Sequence, residues 1–211
     1  MKGAIFDLDG VIVDTASFHY LAWKRLADEL GFYFSPENNE RLKGVSRMKS
    51  LDILLEVGNI SATYEEKIKM AEKKNNWYVE SLKTLTQNDL LSGARTYLEL
   101  LRKEGVKIAL GSASKNAPII LEGLHISELF DAIVDGNSVS NAKPDPEVFL
   151  KAAELLHLLP EECVVFEDSQ AGIDAAKIAG MGTVAVDKFG VLNCADKYVK
   201  CLGDLLPTAE I

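Results

Sequence analysis

Gly3-Ala4-Ile5-Phe6-Asp7-Leu8-Asp9-Gly10 sets a short apolar run directly against two carboxylates two residues apart. A strand climbing to Phe6 delivers both carboxylates into the loop at its carboxyl end, and in an open α/β sheet that edge is where ligands bind. Side-chain alternation stops with the strand, so both carboxylates can turn toward one pocket before Gly10 bends the chain away. Carboxylates held this close are costly unless a cation or a shared proton lies between them. The stretch reads as the seat of a metal, a nucleophile or both. By itself it is equally what an acidic turn after a strand looks like, because Asp and Gly are ordinary turn residues.

Four more short apolar runs read as strands: Val106–Leu110, Ala132–Val134, Val164–Phe166 and Thr183–Val186. Helical patterns lie between them. Thr96–Lys103 carries Tyr97, Leu98, Leu100 and Leu101 and is closed by Gly105; Asp145 caps a helix over Glu147–Leu156 with Pro146 at its first position; Ser169 caps Gln170–Ala179, stopped by Gly180. Strands alternating with helices predict a Rossmann-like parallel sheet wrapped on both faces. The stretch after the first strand breaks that alternation. Phe18, Leu21, Ala22, Leu26 and Leu30 keep helical spacing up to Gly31, Ser35-Pro36-Glu37 starts another helix, Ser46 caps a third, and Thr63-x-x-Glu66 is a capping box opening a long one. The reading is an α/β core over 1–14 and 87–211, with a helical cap domain over 15–86 inserted after the first strand.

Composition narrows the function classes. The 211 residues suffice for a sizeable core, and 47% apolar with 26% charged residues is an ordinary globular balance. A formal charge of −9 argues against nucleic acid or an anionic membrane as partner, since both want clustered Lys and Arg. No apolar stretch approaches the roughly 20 residues of a membrane span, and the amino terminus lacks a signal-peptide pattern. Cys163, Cys194 and Cys201 are odd in number and lack metal-site spacing; Cys163 reads as a core thiol. A cytoplasmic monomer is expected.

The first three strands after the insert are followed by reactive residues: Gly111-Ser112-Ala113-Ser114-Lys115-Asn116, then Lys143-Pro144, then Glu167-Asp168-Ser169. On one edge of a parallel sheet these converge with Asp7 and Asp9. Such carboxylates cannot all stay ionised without a divalent cation, and all-oxygen ligation favours Mg2+. An ammonium and a metal beside an Asp nucleophile form a phosphoryl-transfer constellation.

The ordered set Asp7-x-Asp9-Gly10, Ser112, Lys143-Pro144 and Glu167-Asp168 resembles the four motifs of the haloacid dehalogenase superfamily, in its phosphotransfer branch. The likeness spans essentially the whole chain. It extends to Asp14-Thr15-Ala16, His19, Leu42-Lys43-Gly44-Val45-Ser46-Arg47 and Gln170-Ala171-Gly172, and is closest to sugar-phosphate mutases of that superfamily. It implies Asp7 as a nucleophile that becomes an aspartyl phosphate, and Asp9 as general acid and base. It implies Mg2+ on Asp7, the Asp9 carbonyl and Asp168, with Glu167 in or beside that set. Ser112 and Lys143 would hold the transferring phosphoryl group. Lys43, Gly44, Val45 and Arg47 would serve the other phosphate of a small-molecule sugar phosphate; Ser114, Lys115 and Asn116 would contact its sugar and distal phosphate; Thr15 and His19 would hold Asp9 in place.

The implied activity interconverts β-D-glucose 1-phosphate and glucose 6-phosphate through the bisphosphate. The alternative is a Mg-dependent sugar-phosphate or phosphoglycolate-type phosphatase on the same core, and a distant third a non-catalytic phosphosugar-binding regulator. Arg47 separates the first two, since a guanidinium in a helix's first turn is unfavourable unless an anion sits opposite. Read singly, Arg47 and Lys43 are also ordinary surface cations and His19 a satisfied hydrogen-bonder. Trp23 and Trp77 fit packing positions, and His125 and His157 structural ones.

Overall fold

The computed structural model describes residues 1–42 and 45–207. Lys43 and Gly44, both expected at the site, lie outside the described residues. In chain order the elements are β1 (Gly3–Phe6), α1 (Ala16–Glu29), α2 (Pro36–Glu40), α3 (Arg47–Val57), α4 (Tyr64–Leu82), α5 (Ala94–Lys103), β2 (Lys107–Gly111), α6 (Ala117–Gly123), β3 (Ala132–Val134), α7 (Glu147–Leu155), β4 (Cys163–Glu167), α8 (Gln170–Ile178), β5 (Gly182–Val186) and β6 (Lys197–Val199), with short single-turn helices between some of them. They fall into two compact units, Met1–Asp14 with Leu85–Ile211, and Thr15–Thr84. None of the described helices is long and apolar enough to cross a membrane.

The first unit is an all-parallel sheet in the order β3-β2-β1-β4-β5-β6. This is the doubly wound Rossmann-like order, with β1 central and the connections reversing direction beside it. Both sheet faces are covered, so the strands are near-continuous apolar runs. Ile5, Ala109, Val134 and Val165 point to one face, where they pack with Val148, Phe149, Ala152 and Ala153 of α7 and Ala175 and Ala176 of α8. On the opposite parity Phe6 stacks on Phe166 with ring centroids 4.4 Å apart, and Tyr97 of α5 meets both rings edge-on.

At their carboxyl ends two strands run one residue further than hydropathy predicts. Gly111 pairs with Val134 and Glu167 with Ala185, because the ladder is made by backbone groups and does not end where apolar side chains do. The tail supplies a sixth strand that the sequence reading lacked; Lys197-Tyr198-Val199 extends the sheet edge by pairing with Val184–Val186. At α7 the N-cap position belongs to Pro146 rather than Asp145, although the Asp145 carboxylate still accepts the Glu147 amide at 2.9 Å.

The second unit is four helices, and the starts of α2, α3 and α4 are marked by side-chain caps. Ser35, Ser46 and Thr63 accept the amides of Asn38, Lys49 and Glu66, and Thr63 with Glu66 completes the capping box. Its core gathers Trp23, Leu26 and Ala27 of α1, Leu51, Leu54 and Leu55 of α3, Ala71 of α4, and Phe34.

Since Phe166 stacks on Phe6 at the centre of the sheet, Phe166→Ala is expected to destabilise the first unit by about 3–5 kcal/mol, read by urea unfolding. A loss below about 1 kcal/mol would show that the aromatic cluster does not anchor the strands carrying the site.

Candidate active site

Asp7 follows β1, and its amide continues the ladder by donating to the Phe166 carbonyl at 2.9 Å. Asp7 is buried, 8% exposed as a residue, and its carboxylate accepts a hydrogen bond from the Lys143 ammonium at 2.6 Å. The same ammonium donates at 2.6 Å to Oε1 of Glu167, the last residue of β4, and lies 4.8 Å from the centre of the Phe149 ring. The other Glu167 oxygen accepts both the amide and the hydroxyl of Ser169, at 2.7 and 2.9 Å. Gly10 turns the chain with φ +78°, a left-handed conformation that suits glycine, and any Cβ there would collide with the Asp168 carboxylate. The loop after β1 is thereby pressed against the loop after β4.

Electrostatics in this cluster are finely opposed. Burial pushes the Asp7 carboxyl up to about 7; Lys143 pulls it down, while Glu167 and Asp9 add repulsion. Burial would lower Lys143, but Asp7 and Glu167 more than offset it and hold its proton firmly. Asp168 is also pushed up, by desolvation and by the charges of Glu167, Asp7 and Asp9. The residue presents surface to solvent, so the repulsion among carboxylates is the cause that matters there.

Crowded carboxylates reluctant to ionise, with oxygen donors only, fit a hard divalent cation such as Mg2+. Among the described residues, however, no three carboxylate, imidazole or thiol groups converge as a ready-made metal cage. The expected set Asp7, Asp9, Glu167 and Asp168 is therefore not preformed by side chains alone. Lys143 stands between Asp7 and Glu167, and Ser169 holds the second Glu167 oxygen, so both Glu167 oxygens are already engaged.

Ser112, buried at the end of β2, donates its amide to the Val134 carbonyl. Its hydroxyl accepts the Ser114 amide at 3.1 Å, and the Ser114 hydroxyl accepts the Asn116 amide at 3.3 Å. These bonds coil the loop so that Lys115 is exposed while Asn116 is buried ahead of α6.

The helical unit brings Thr15, His19 and Arg47 into a second cluster, joined by two residues the sequence reading missed. Lys74 of α4 is 2% exposed; its nitrogen lies 2.9 Å from His19 Nδ1, 4.5 Å from the Trp23 ring centre and 4.9 Å from that of Tyr78. Tyr78 stacks on His19 at 3.9 Å and donates its hydroxyl to Thr15 Oγ1 at 3.1 Å. Burial, then the charge of Arg47, pushes Lys74 down to about 7. Burial, Lys74 and Arg47 push His19 down to about 3, so its ring is neutral near pH 7. A charged Lys74 then donates to Nδ1 and leaves the His19 proton on Nε2. Lys74 occupies the register of the buried stripe Ala71, Lys74, Tyr78 and Leu82; a lysine at a core position was the signal available in the sequence. Val45 is exposed, Arg47 half-buried at the first position of α3.

A family model described as haloacid dehalogenase-like hydrolase matches residues 4–186. The β-phosphoglucomutase of Bacillus subtilis (strain 168) is 44% identical over 207 residues, spanning 97% of this chain and 92% of that protein. A phosphorylated carbohydrates phosphatase of Thermotoga maritima is 36% identical over 196 residues, spanning 92% and 86%. The crystal structure of a β-phosphoglucomutase from Clostridium difficile, 45% identical, matches with a TM-score of 0.90 over 98% of this chain and 93% of that one.

Lys74 carries a pH signature. The unfolded chain keeps the Lys74 proton up to about 10.5, whereas the folded protein releases it near 7, so unfolding takes up a proton between these values. Stability is therefore expected to rise with pH across that window by a few kcal/mol, and Lys74→Met to flatten the rise, measured by urea unfolding at pH 7 and pH 9.5. Parallel slopes in the two proteins would refute the buried, depressed ammonium.

Proposed function

Since the chain belongs to the haloacid dehalogenase-like hydrolase family, we propose that it is a β-phosphoglucomutase, interconverting β-D-glucose 1-phosphate and glucose 6-phosphate. The observation that carries this reading is the Lys143 ammonium seated on the Asp7 carboxylate. A cation in that position stands beside any phosphoryl group that Asp7 takes up, and phosphoryl transfer is mainly positioning and charge stabilisation.

In the proposed reaction an Asp7 oxygen attacks phosphorus, the bond from phosphorus to the leaving oxygen breaks, and Asp9 gives that oxygen a proton. In the return half Asp9 takes the proton from the incoming sugar hydroxyl, which recovers the phosphoryl group from Asp7. Lys143 and Ser112 hold the transferring group, and Glu167 keeps the ammonium aimed at Asp7. Asp7, Asp168 and the Asp9 carbonyl would hold Mg2+, which supplies further neutralisation of phosphoryl oxygens. Ser114, Lys115 and Asn116 contact the sugar and distal phosphate.

A mutase must also grip a second phosphate. Among the described residues neither Arg47 nor Lys74 enters a salt bridge, and the Arg47 charge adds to the cost of keeping Lys74 charged. An anion at Arg47 would relieve that repulsion, and a guanidinium fork suits a phosphate. Thr15 and His19 are tied to Tyr78 and Lys74 within the same helical unit as Arg47. The name of the Thermotoga maritima relative supports a second reading, a sugar-phosphate phosphatase on the same core.

The deciding assay follows inorganic phosphate and glucose 6-phosphate from β-glucose 1-phosphate with Mg2+ and a priming bisphosphate. Isomerisation without phosphate release is expected; stoichiometric release would establish the phosphatase instead. Lys143→Ala is expected to lower kcat by about 100-fold or more. Arg47→Ala should cut mutase turnover while Asp7 is still phosphorylated by acetyl phosphate; equal loss of both would overturn the role given to Arg47.

A further inference from the structure

The turn Asp135-Gly136-Asn137-Ser138 follows β3 and takes no part in the chemistry above. Asp135 is 7% exposed. One of its oxygens accepts the amides of Asn137 and Ser138, at 3.0 and 3.1 Å, and the Ser138 hydroxyl at 2.8 Å. The other accepts the Asn137 side-chain nitrogen at 2.9 Å, and that nitrogen also donates to the Lys115 carbonyl at 3.0 Å. Both partners are acceptors, so the orientation of the Asn137 amide is fixed by its surroundings. One residue earlier, the Gly136 amide donates to the Ser114 carbonyl at 3.1 Å. The two backbones run so close that a Cβ on Gly136 would collide with the Ala113 carbonyl oxygen.

The loop Ser112–Asn116 needs such support. Its own bonds, Ser114 to Ser112 and Asn116 to Ser114, curl it locally but do not fix it to the sheet. Past the Ser112 amide, Gly136 and Asn137 tie it down. The far side of the turn is secured to α7, the helix that begins shortly after Lys143. Lys151 donates to the Ser138 carbonyl at 2.7 Å, and Glu147 accepts the amides of Ser140 and Asn141 at 3.0 and 2.8 Å. One turn thus joins the loop bearing Lys115 to the helix that follows the Lys143 segment.

We infer that Asn137 is a positioning residue for substrate binding: seated on Asp135, it holds the Lys115 backbone so that Ser114, Lys115 and Asn116 meet the sugar and distal phosphate in register with the phosphoryl centre. This rests on the reading above that the loop contacts that part of the substrate. Asn137 acts on the distal grip and leaves phosphoryl transfer to Asp7 alone. It therefore separates substrates that carry a sugar phosphate from donors that carry only the phosphoryl group.

The test compares wild type with Asn137→Ala and Gly136→Ala, using β-glucose 1-phosphate and acetyl phosphate, a donor with no sugar and no second anchoring group. Each variant is expected to raise KM for the sugar phosphate about five- to ten-fold, the scale of one lost hydrogen bond, with kcat changed less than about two-fold. Phosphate release from acetyl phosphate should be unchanged. Unchanged KM in both variants, or equal losses on the two substrates, would overturn the inference. Wild-type turnover of β-glucose 1-phosphate to either product tests the parent reading, whereas the variant-to-wild-type ratio tests the brace. If wild type leaves sugar phosphates untouched, the parent reading falls. Calorimetry with glucose 6-phosphate then decides the brace: weaker binding by Asn137→Ala sustains it, and equal or absent binding overturns it.

Discussion

A buried ammonium shared by two carboxylates is the contact on which this molecule depends. Lys143 bonds Asp7 and Glu167 at 2.6 Å each, and the three side chains are 10%, 11% and 1% exposed. Removing one partner from such a group leaves an unpaired charge in the interior, at a cost of about 3–5 kcal/mol. The contact joins the end of β1, the end of β4 and the segment leading into α7. Strand order, which puts β1 beside β4, and helix position, which returns Lys143 to the same edge, must both be right for it to form. One interaction therefore reports the assembled sheet.

The helical unit shows the converse. In the first unit negative charge exceeds positive, and the surplus suits a metal cation. In the second, Arg47 and Lys74 share a region with a neutral His19 and an aromatic wall, and burial pushes Lys74 toward losing its proton. Each unit holds the charge that its proposed ligand would neutralise: carboxylates for Mg2+, cations for phosphate. Such residual electrostatic tension is typical of sites that act on charged ligands.

Much was legible because it follows local rules. The capping residues Ser35, Ser46, Thr63 and Ser169 announce their helices through hydrogen bonds made within three residues. The apolar runs of β1 to β5 stand out because strands buried on both faces tolerate little else. Where an element or contact depends on distant partners, the sequence is silent or off by a residue. β6 is short and half-exposed, and becomes a strand only because β5 offers a free edge. Lys74 resembles any helix-surface lysine until α1 closes over it, and Asn137 any turn asparagine until the Lys115 carbonyl arrives.

What the sequence determined by itself was the alternation of elements, their caps, and the placing of Asp7, Ser112, Lys143, Glu167 and Asp168 at or near strand ends. These depend on side-chain periodicity and on hydrogen bonds between near neighbours in the chain. Tertiary structure alone decided which of those groups touch. The 2.6 Å contacts of Lys143, the seat of Glu167 on Ser169, the lysine buried against His19 and the tie from Asn137 to Lys115 are the outcome. Apart from the local Glu167–Ser169 pair, each joins residues more than twenty positions apart. Pairing at such separation is set by how the layers pack, which no local pattern encodes.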